Sequence, residues 1–142
     1  MTVGFQVTFD AEQPRQLGEF WAQALGYVEQ PPPEGHGSWD AYADSVGMPQ
    51  EQRDGFYAVV DPDGGRPRLL FRRVPEGKSA KNRVHLDVNV GAGHPPLERP
   101  GIVRAEADRL VTLGANELRE ASEHGEHWIV LQDPEGNEFC LQ

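Results

Sequence analysis

Hydrophobic and polar residues alternate along residues 2–10 (TVGFQVTFD), and this period of two predicts a half-buried β-strand. Pro14 follows at a position that the first turn of a helix tolerates, and apolar residues then recur at helical spacing. This apolar stripe consists of Leu17, Phe20, Trp21, Ala24 and Leu25. Gly26 is expected to end the helix, and residues 27–30 are expected to form a short strand.

The regular pattern breaks down over residues 31–54, which begin with three prolines. We expect an extended exit from the preceding strand, followed by one or two helical turns around residues 39–46. A connection of this length often serves as a lid, so we treat it as a lid-like insert. Trp39 and Tyr42 are expected either to cap exposed core or to cover a ligand.

Two hairpins are predicted, one in each half of the chain. Residues 56–74 contain an Asp-Pro-Asp-Gly turn between two apolar runs, and residues 127–142 contain Asp-Pro-Glu-Gly in the same place. In the second turn Asp133 and Pro134 initiate the reversal, and Gly136 can adopt a positive φ. A hairpin that occurs twice suggests that the elements before it also occur twice.

The elements before the second hairpin repeat those of the first half. Residues 83–90 (RVHLDVNV) alternate as residues 2–10 do, and residues 102–113 carry a helical apolar stripe that leads to a short strand through Leu118. Each half therefore runs strand, helix, strand, strand, strand. Neither half is large enough to bury its own sheet face alone.

We therefore predict a single α+β domain over residues 1–142. Two βαβββ modules, residues 1–75 and 82–142, would be joined by a linker at residues 75–81. They are expected to form one curved, partly open, eight-stranded mixed sheet with the helices outside.

The composition limits the classes of function. The 142 residues include 23 acidic and 13 basic side chains, which give a formal net charge of −10. This charge disfavours binding to nucleic acid and favours cationic ligands at longer range. No apolar run reaches the roughly 20 residues of a membrane helix, and the N-terminal segment has no signal-type core. The single cysteine, Cys140, excludes an internal disulfide, so we expect a reducing, cytoplasmic location.

Strand alternation also predicts which side chains line a shared concave face. If Val7 and Val84 pack against the helices, the polar residues between the apolar positions face the other side. The residues expected there are Gln6, Thr8, Asp10, Arg83, His85, Asp87, Asn89, Glu138, Cys140 and Gln142, with Leu69, Phe71, Trp128 and Val130 as apolar neighbours. Such a face is either a ligand cavity, which we favour, or a hydrated groove in which Arg83 pairs with Asp87, Asp10 or Glu138.

Several segments resemble those of one protein family. FWAQALGY, DPDGGRPRLLFRRVPE, KNRVHLDV and DPEGNEFC are similar to segments of small actinobacterial glyoxalase-like domains. These domains belong to the vicinal oxygen chelate superfamily, which includes glyoxalase I, extradiol dioxygenases, and bleomycin- and fosfomycin-resistance proteins. The resemblance implies the duplicated βαβββ fold and frequent dimerisation. In members with a metal it implies one ligand on the first strand and one on the last strand of each half.

By the pattern of that family, the ligand positions here are Gln6, Leu69 or Leu70, His85 and Cys140, and only His85 is a typical ligand. Gln6, His85 and Cys140 would be three ligands suited best to zinc, although a neutral amide is a poor partner for it. We therefore expect no metal and no other cofactor. His85 is expected to be a neutral, hydrogen-bonded imidazole, since no third group that could orient a His85–Cys140 nucleophile is identifiable.

Two further histidines, His124 and His127, lie in the sequence EHGEH and are expected at a surface turn.

The sequence favours a metal-independent small-molecule binding protein of the glyoxalase/bleomycin-resistance type, with its ligand on the concave face and Trp39 beside it. The alternative is a glyoxalase- or dioxygenase-type enzyme that uses an unusual metal site or His85 as a general base. A third hypothesis is that the domain binds a partner protein. The expected partners are a small molecule and a second copy of the chain in a homodimer, without nucleic acid or membrane.

Overall fold

A computed structural model describes residues 1–142, which form two compact units, Met1–Gly77 and Lys78–Gln142. Each unit contains one open, four-stranded mixed sheet with a long helix packed against it. The predicted α+β class and the repeated order of strands and helices are confirmed. None of the helices combines the length and the apolar character that a membrane span requires.

The first unit contains four strands, two α-helices and one 3-10 helix. In chain order these are β1 (Val7–Ala11), α1 (Pro14–Leu25), β2 (Val28–Glu29), α2 (Trp39–Ser45), the 3-10 helix (Gln50–Gly55), β3 (Phe56–Val60) and β4 (Leu69–Arg73). The strands lie in the order β1-β4-β3-β2. β1 is parallel to β4, and the other neighbouring strands are antiparallel. The predicted insert thus contains α2 and the 3-10 helix.

An aromatic stack joins helix α1 to the first sheet. Trp21 of α1 is 1% exposed, and its ring centroid lies 5.3 Å from that of Phe9. Phe9 in turn stacks on Phe71 at 5.0 Å. Since successive strand residues point to opposite faces, Thr8 of β1 and Leu70 of β4 lie on the face away from the helix.

The second unit contains four strands and one helix. In chain order these are β5 (Asp87–Val88), α3 (Arg99–Thr112), β6 (Asn116–Glu123), β7 (Glu126–Gln132) and β8 (Glu138–Leu141). The strands lie in the order β5-β8-β7-β6, with β5 parallel to β8. The fully buried apolar residues of this unit are Val103, Ala107, Leu110, Ile129, Leu131, Phe139 and Leu141. They place Cys140 on the other face of the sheet, because it lies between Phe139 and Leu141.

The first strand of each half is shorter than the alternation predicted. β1 begins at Val7, and Phe5 is 72% exposed. Its partner strand begins opposite Val7, and Pro67 just before that strand has no N–H with which to extend the ladder. In the second half only Asp87–Val88 are assigned to the strand, and Val84 is 83% exposed. The strand through Leu118, in contrast, is eight residues long rather than short.

The aspartate of each hairpin turn is buried. Asp61 and Asp133 are 7% and 2% exposed. Asp133 Oδ1 accepts hydrogen bonds from the backbone N–H groups of Glu135, at 2.9 Å, and Asn137, at 3.0 Å. Asp61 Oδ1 accepts from the N–H of Asp63 at 2.9 Å. The carboxylates thus accept hydrogen bonds from backbone N–H groups of the turn, which have no partner on a neighbouring strand. These bonds stabilise each turn and so favour the hairpin.

Asp133→Ala should lower the free energy of unfolding by about 2–4 kcal/mol, because it leaves two backbone N–H groups near a buried site without their acceptor. Urea denaturation measures the change. Asp63→Ala is the matched control, since this exposed side chain lies in the first turn and should change the unfolding free energy by less than about 0.5 kcal/mol. Equal losses in both variants would refute the structural role assigned to the buried carboxylate.

Glu138 at the start of β8 anchors the chain that enters the second unit. Its Oε2 accepts a hydrogen bond from the N–H of Asn82 at 2.9 Å, and Lys78 Nζ lies 3.2 Å from the same oxygen. The hydrogen bond from Asn82 is the main cause that lowers the pKa of Glu138, with a smaller contribution from Lys78. Glu138 therefore fastens residues 78–82 to the sheet, and its carboxylate is already paired.

Glu138→Gln should reduce the free energy of unfolding by roughly 1 kcal/mol at pH 7. Because the pKa of Glu138 is lowered in the folded state, its contribution to stability is complete above the unfolded pKa of about 4.3 and is lost as pH falls through the folded value. The difference in the free energy of unfolding between Glu138→Gln and the parent protein should therefore shrink as the pH is lowered from about 5 toward 3. Glu123→Gln, an exposed control in β6, should show no such convergence in urea titrations. A difference for Glu138→Gln that stays constant over this range would contradict the ionic role.

Candidate functional site

The face of the first sheet away from α1 carries a row of side chains on three strands. Thr8 of β1 lies beside Leu70 of β4, and Leu70 lies beside Ala58 of β3. Leu70 and Ala58 line a cavity of about 1270 Å³ in this unit. The predicted direction of Thr8 thus agrees with the structure.

The placement of Leu69 and Phe71 on this face is wrong. The structure buries them on the helix side, where they are 2% and 0% exposed. The first turn is two residues longer than the second, since Leu70 follows Asp61 by nine positions and Cys140 follows Asp133 by seven, so an allowance of one additional residue selects Leu69 in place of Leu70. Arg68 and Leu70 therefore occupy the face that was assigned to Leu69 and Phe71.

A hydrogen-bonded polar group forms part of this face. Arg68 Nε donates to Gln30 Oε1 at 2.7 Å, and its Nη1 donates to Gln6 Oε1 at 3.0 Å. Gln6 Nε2 also lies 3.3 Å from Thr8 Oγ1. The backbone of Gln30 is fixed as well, since its N–H donates to the carbonyl of Ala58 at 2.9 Å. Gln6 and Thr8 were predicted on this face from strand alternation, whereas Gln30 and Arg68 were not predicted.

The insert supplies an aromatic wall to the cavity. Trp39 and Tyr42 of α2 pack edge to face with ring centroids 5.8 Å apart, and Trp39 Nε1 donates to the carbonyl of Gln30 at 2.8 Å. Phe56 and Tyr57 of β3 also line the cavity. Trp39 and Tyr42 therefore line the cavity, and whether they cap exposed core or cover a ligand stays a prediction.

Arg53 holds the insert in place. This side chain is 17% exposed, and its Nη2 donates to Asp44 Oδ1 at 2.7 Å and to the carbonyl of Met48 at 2.9 Å. Ser38 caps α2 by accepting a hydrogen bond from the N–H of Ala41 at 3.0 Å. These bonds tie α2 to the 3-10 helix, so the wall has a defined position.

The second unit brings His85, Asp87 and Cys140 together. His85 Nδ1 lies 2.9 Å from Asp87 Oδ1, and Asp87 lies beside Cys140 in the parallel register. Their potential metal-ligating atoms all lie within 4.8 Å of one another. The predicted juxtaposition of His85 and Cys140 on one sheet face is therefore observed, and Asp87 is the third member.

The same geometry argues against a reactive thiolate. Burial raises the pKa of Cys140, and the charge of Asp87 and its hydrogen bond with the thiol raise it further. A thiol with a raised pKa is protonated at neutral pH and is a poor nucleophile. Asp87, rather than Cys140, is the hydrogen-bond partner of His85 Nδ1.

The imidazole, carboxylate and thiol of this group are a donor set that fits zinc. His85, Asp87 and Cys140 would hold such an ion, and Gln6 is not a member of the group. The amide oxygen of Gln6 instead accepts the hydrogen bond from Arg68.

The strand registers also decide which residue corresponds to Cys140 in the first half. Thr8 pairs with Leu70, whereas Asp87, at the matching position of the repeat, pairs with Cys140. The fourth family position is therefore Leu70 rather than Leu69. A leucine offers no ligand atom, so Gln6 is the one potential ligand in the first half.

The remaining candidates do not form one cluster. Trp128 and Val130 lie on the Cys140 side of the second sheet, as predicted from alternation. Asn89 and Gln142 hydrogen-bond to each other at 2.9 Å. Asp10 and Arg83 are exposed, and neither forms an ion pair. The pairing of Arg83 with a carboxylate, which belonged to the alternative of a hydrated groove, is thus not observed.

The two other histidines lie apart from these groups. His124 lies in the β6–β7 turn with a φ of 51°, as expected for a surface turn. His127 lies within β7 rather than in the turn, and its side chain is 15% exposed. Its Nε2 is 2.7 Å from Glu120 Oε1, so it belongs to a local ion pair.

Solved structures of low sequence identity share the fold. A glyoxalase/bleomycin resistance protein/dioxygenase family enzyme from Burkholderia phytofirmans matches with a TM-score of 0.62 and 18% identity, over 96% of this chain and 94% of that chain. A variant of the fosfomycin resistance protein FosX from Listeria monocytogenes, in complex with Mn(II) and 1S,2S-dihydroxypropylphosphonic acid, matches with a TM-score of 0.63 and 12% identity. That match covers 100% of this chain and 90% of the other. A glyoxalase-related enzyme from Fulvimarina pelagi matches with a TM-score of 0.61 and 15% identity, over 99% of this chain and 86% of that chain.

No curated protein shows significant sequence similarity to this chain. The sequence model of the glyoxalase-like domain, in contrast, matches residues 6–142, which is nearly the whole chain. This match shows that the chain belongs to the glyoxalase-like domain family.

Proposed function

We propose that this chain is a small-molecule binding protein of the glyoxalase/bleomycin-resistance type, which holds its ligand in the cavity of the first unit without a metal. The observation that carries the proposal is the cavity of about 1270 Å³, which Leu70 and Ala58 line on the sheet face opposite α1 and which extends to Arg15 of α1. Ligand sites are typically concave and mostly apolar, with a few convergent polar groups that fix orientation. In this cavity aromatic and aliphatic side chains, among them Trp39 and Leu70, lie beside charged groups such as Arg68.

Preorganisation of the cavity supports binding. Trp39 is fixed by its bond to the carbonyl of Gln30, and Arg53 fixes the rest of the insert. On the sheet side, Gln6 and Gln30 hold Arg68. A site whose walls are already ordered loses less conformational entropy when a ligand binds.

The chemistry of the family positions supports action without a metal. In the first half, Leu70 cannot ligate and Gln6 Oε1 is engaged by Arg68. In the second half, the raised pKa of Cys140 means that a metal would have to displace a proton before the sulfur could bind. Both features lower the affinity for a divalent cation.

A homodimer in the cytoplasm is part of the same proposal. The lone cysteine is compatible with a reducing compartment. Phe5, Val84 and Leu97 are 72%, 83% and 97% exposed, and a second copy of the chain would remove apolar surface of this kind from water.

Leu70→Trp should weaken ligand binding at least about tenfold, because the larger side chain fills part of the cavity. Saturation-transfer NMR against a library of small aromatic and aliphatic compounds first identifies binders of the parent protein. The same measurement then compares the variants. Leu118→Trp is the matched control, since Leu118 is 47% exposed on β6 of the other unit and should leave binding unchanged.

If the binders keep the same affinity in Leu70→Trp and in the control, the ligand does not lie in this cavity. Circular dichroism of both variants verifies that they are folded. A library without a single binder would contradict the proposal as a whole.

The second candidate function is a glyoxalase- or dioxygenase-type enzyme, and the specific observation that favours it is the group of His85, Asp87 and Cys140. A bound zinc ion supplies Lewis-acid activation of a carbonyl group or of water. The three side chains would hold the ion, and Asp87 would orient His85 through its bond to Nδ1. In a version without metal, His85 would act as a general base and Asp87 would hold its ring orientation.

Under the proposed function, purified protein should contain well below one equivalent of zinc, nickel or iron by inductively coupled plasma mass spectrometry. Added zinc should bind more tightly as the pH rises, roughly tenfold per unit between pH 6.5 and 8. Zinc binding tightens as the pH rises because the pKa of Cys140 is raised. Its thiol is therefore protonated throughout this pH range, and zinc must displace one proton to bind the sulfur. Calorimetric titration measures the slope.

His85→Ala should abolish this zinc affinity, whereas His94→Ala, in an exposed loop, should leave it unchanged. A stoichiometric metal in the protein as purified, removed by His85→Ala, would overturn the metal-independent proposal and favour the second candidate.

A further inference from the structure

The cavity of the first unit contains one arginine whose charge is not neutralised. Four arginines line the cavity, and they are Arg15, Arg53, Arg68 and Arg73. Arg15 lies 3.2 Å from Glu19 and Arg73 lies 2.8 Å from Asp54. Arg53 is paired with Asp44 at 2.7 Å. Arg68 forms no ion pair, and its partners are two neutral amides.

The two amides orient Arg68 without reducing its charge. Gln30 Oε1 accepts from Nε at 2.7 Å, and Gln6 Oε1 accepts from Nη1 at 3.0 Å. These bonds engage Nε and Nη1, while Nη2 makes no hydrogen bond within the chain. A half-buried guanidinium held in this way presents its remaining N–H groups in a fixed planar fork, the geometry that recognises carboxylate and phosphate oxygens.

The acidic residues of the cavity do not cancel this charge. Asp54 and Glu29 lie with Arg73 and Arg15, and Asp40 lies 3.7 Å from Arg53. The remaining carboxylate, Glu51, is exposed on the 3-10 helix, where water solvates it. The half-buried positive charge is therefore the one that lacks both a counter-ion and full solvation, and a ligand anion would supply the counter-ion.

The surroundings of Arg68 indicate what the rest of the ligand would contact. Leu70 is two residues along the same strand and faces the same side of the sheet. Gln30 binds both Trp39 and Arg68: its carbonyl accepts a hydrogen bond from Trp39 Nε1 at 2.8 Å, and its side chain accepts one from Arg68. Tyr42 packs against Trp39. An apolar, preferably planar body thus finds aromatic and aliphatic surface next to the charged group.

We propose that this cavity binds an organic anion, in which a carboxylate, phosphate or phosphonate group pairs with Arg68 and an aromatic body packs on Trp39, Tyr42 and Leu70. The inference rests on the proposed function, since it assigns a ligand class to the same cavity. It is opposite to the preference for cations that the net charge of −10 predicts. The net charge acts through solvent, where ions screen it within about 8 Å at physiological ionic strength, whereas Arg68 acts at contact distance.

The test compares four probes that share one body and differ in charge: 2-naphthoate, 2-naphthyl phosphate, 2-naphthamide and 2-naphthylmethylammonium. Calorimetric titration of the full chain measures each affinity. The two anions should bind at least about tenfold more tightly than the amide, and the ammonium should bind most weakly. The ratio between carboxylate and phosphate identifies which oxyanion the cavity prefers.

Arg68→Gln should reduce the affinity for both anions roughly ten- to hundredfold and leave the amide unchanged. Arg66→Gln is the matched control, because its side chain is 74% exposed, lies two residues away and carries the same charge. That control should alter none of the affinities by more than about twofold. Since the comparison of probes uses the unmodified protein, the inference is testable even if Arg68→Gln fails to fold.

An amide that binds as tightly as the anions would overturn the ligand class while leaving small-molecule binding intact. The same conclusion would follow if both arginine variants weakened the anions equally. If none of the four probes bound at millimolar concentration, the ligand class and the proposed function would fail together.

Discussion

The aromatic stack of Phe9 and Phe71 on Trp21 fixes which side of the first sheet is available to a ligand. Large rings buried between a helix and a sheet cannot exchange places with their neighbours, because a shift of one residue would expose them to water and bury polar groups. The direction of every other side chain on β1 and β4 follows from this packing. Because the core occupies this face, Leu70 and Ala58 line the cavity from the opposite face.

The same constraint operates in the second unit, but the two halves have acquired different surfaces. Ile129, Leu131, Phe139 and Leu141 are fully buried and leave Cys140 on the other face. The first half has a long connection between its second and third strands, which contains α2 and the 3-10 helix, whereas β6 and β7 are joined by a tight turn. The potential metal ligands are concentrated in the half without the insert, and the cavity described above lies in the half with it.

Much of the fold could be predicted from the sequence, because each turn and cap has a local cause. Pro14, Gly26 and the two Asp-Pro-x-Gly turns all fall where their backbone preferences require. The lengths of the first strands could not be predicted, since alternation shows which residues can pair but not whether a partner strand extends that far. The choice between Leu69 and Leu70 stayed open for a similar reason: the first turn is two residues longer than the second, and only the register to β1 shows this. Arg68 and Gln30 were missed because they meet across 38 residues of sequence.

The net charge of −10 favours cationic ligands, whereas Arg68 in the cavity favours anionic ones. Which effect is larger depends on the distance between the charges and the ligand. Most of the acidic side chains are exposed, where water and salt reduce their effect on a ligand to a weak, long-range term. A half-buried guanidinium that two amides orient acts on a ligand at contact distance, where salt screens it less, and its hydrogen bonds depend on its planar geometry. An excess of surface acids can therefore coexist with a site for an anion. The net charge then bears on solubility and encounter rate, and the contact geometry bears on what is bound.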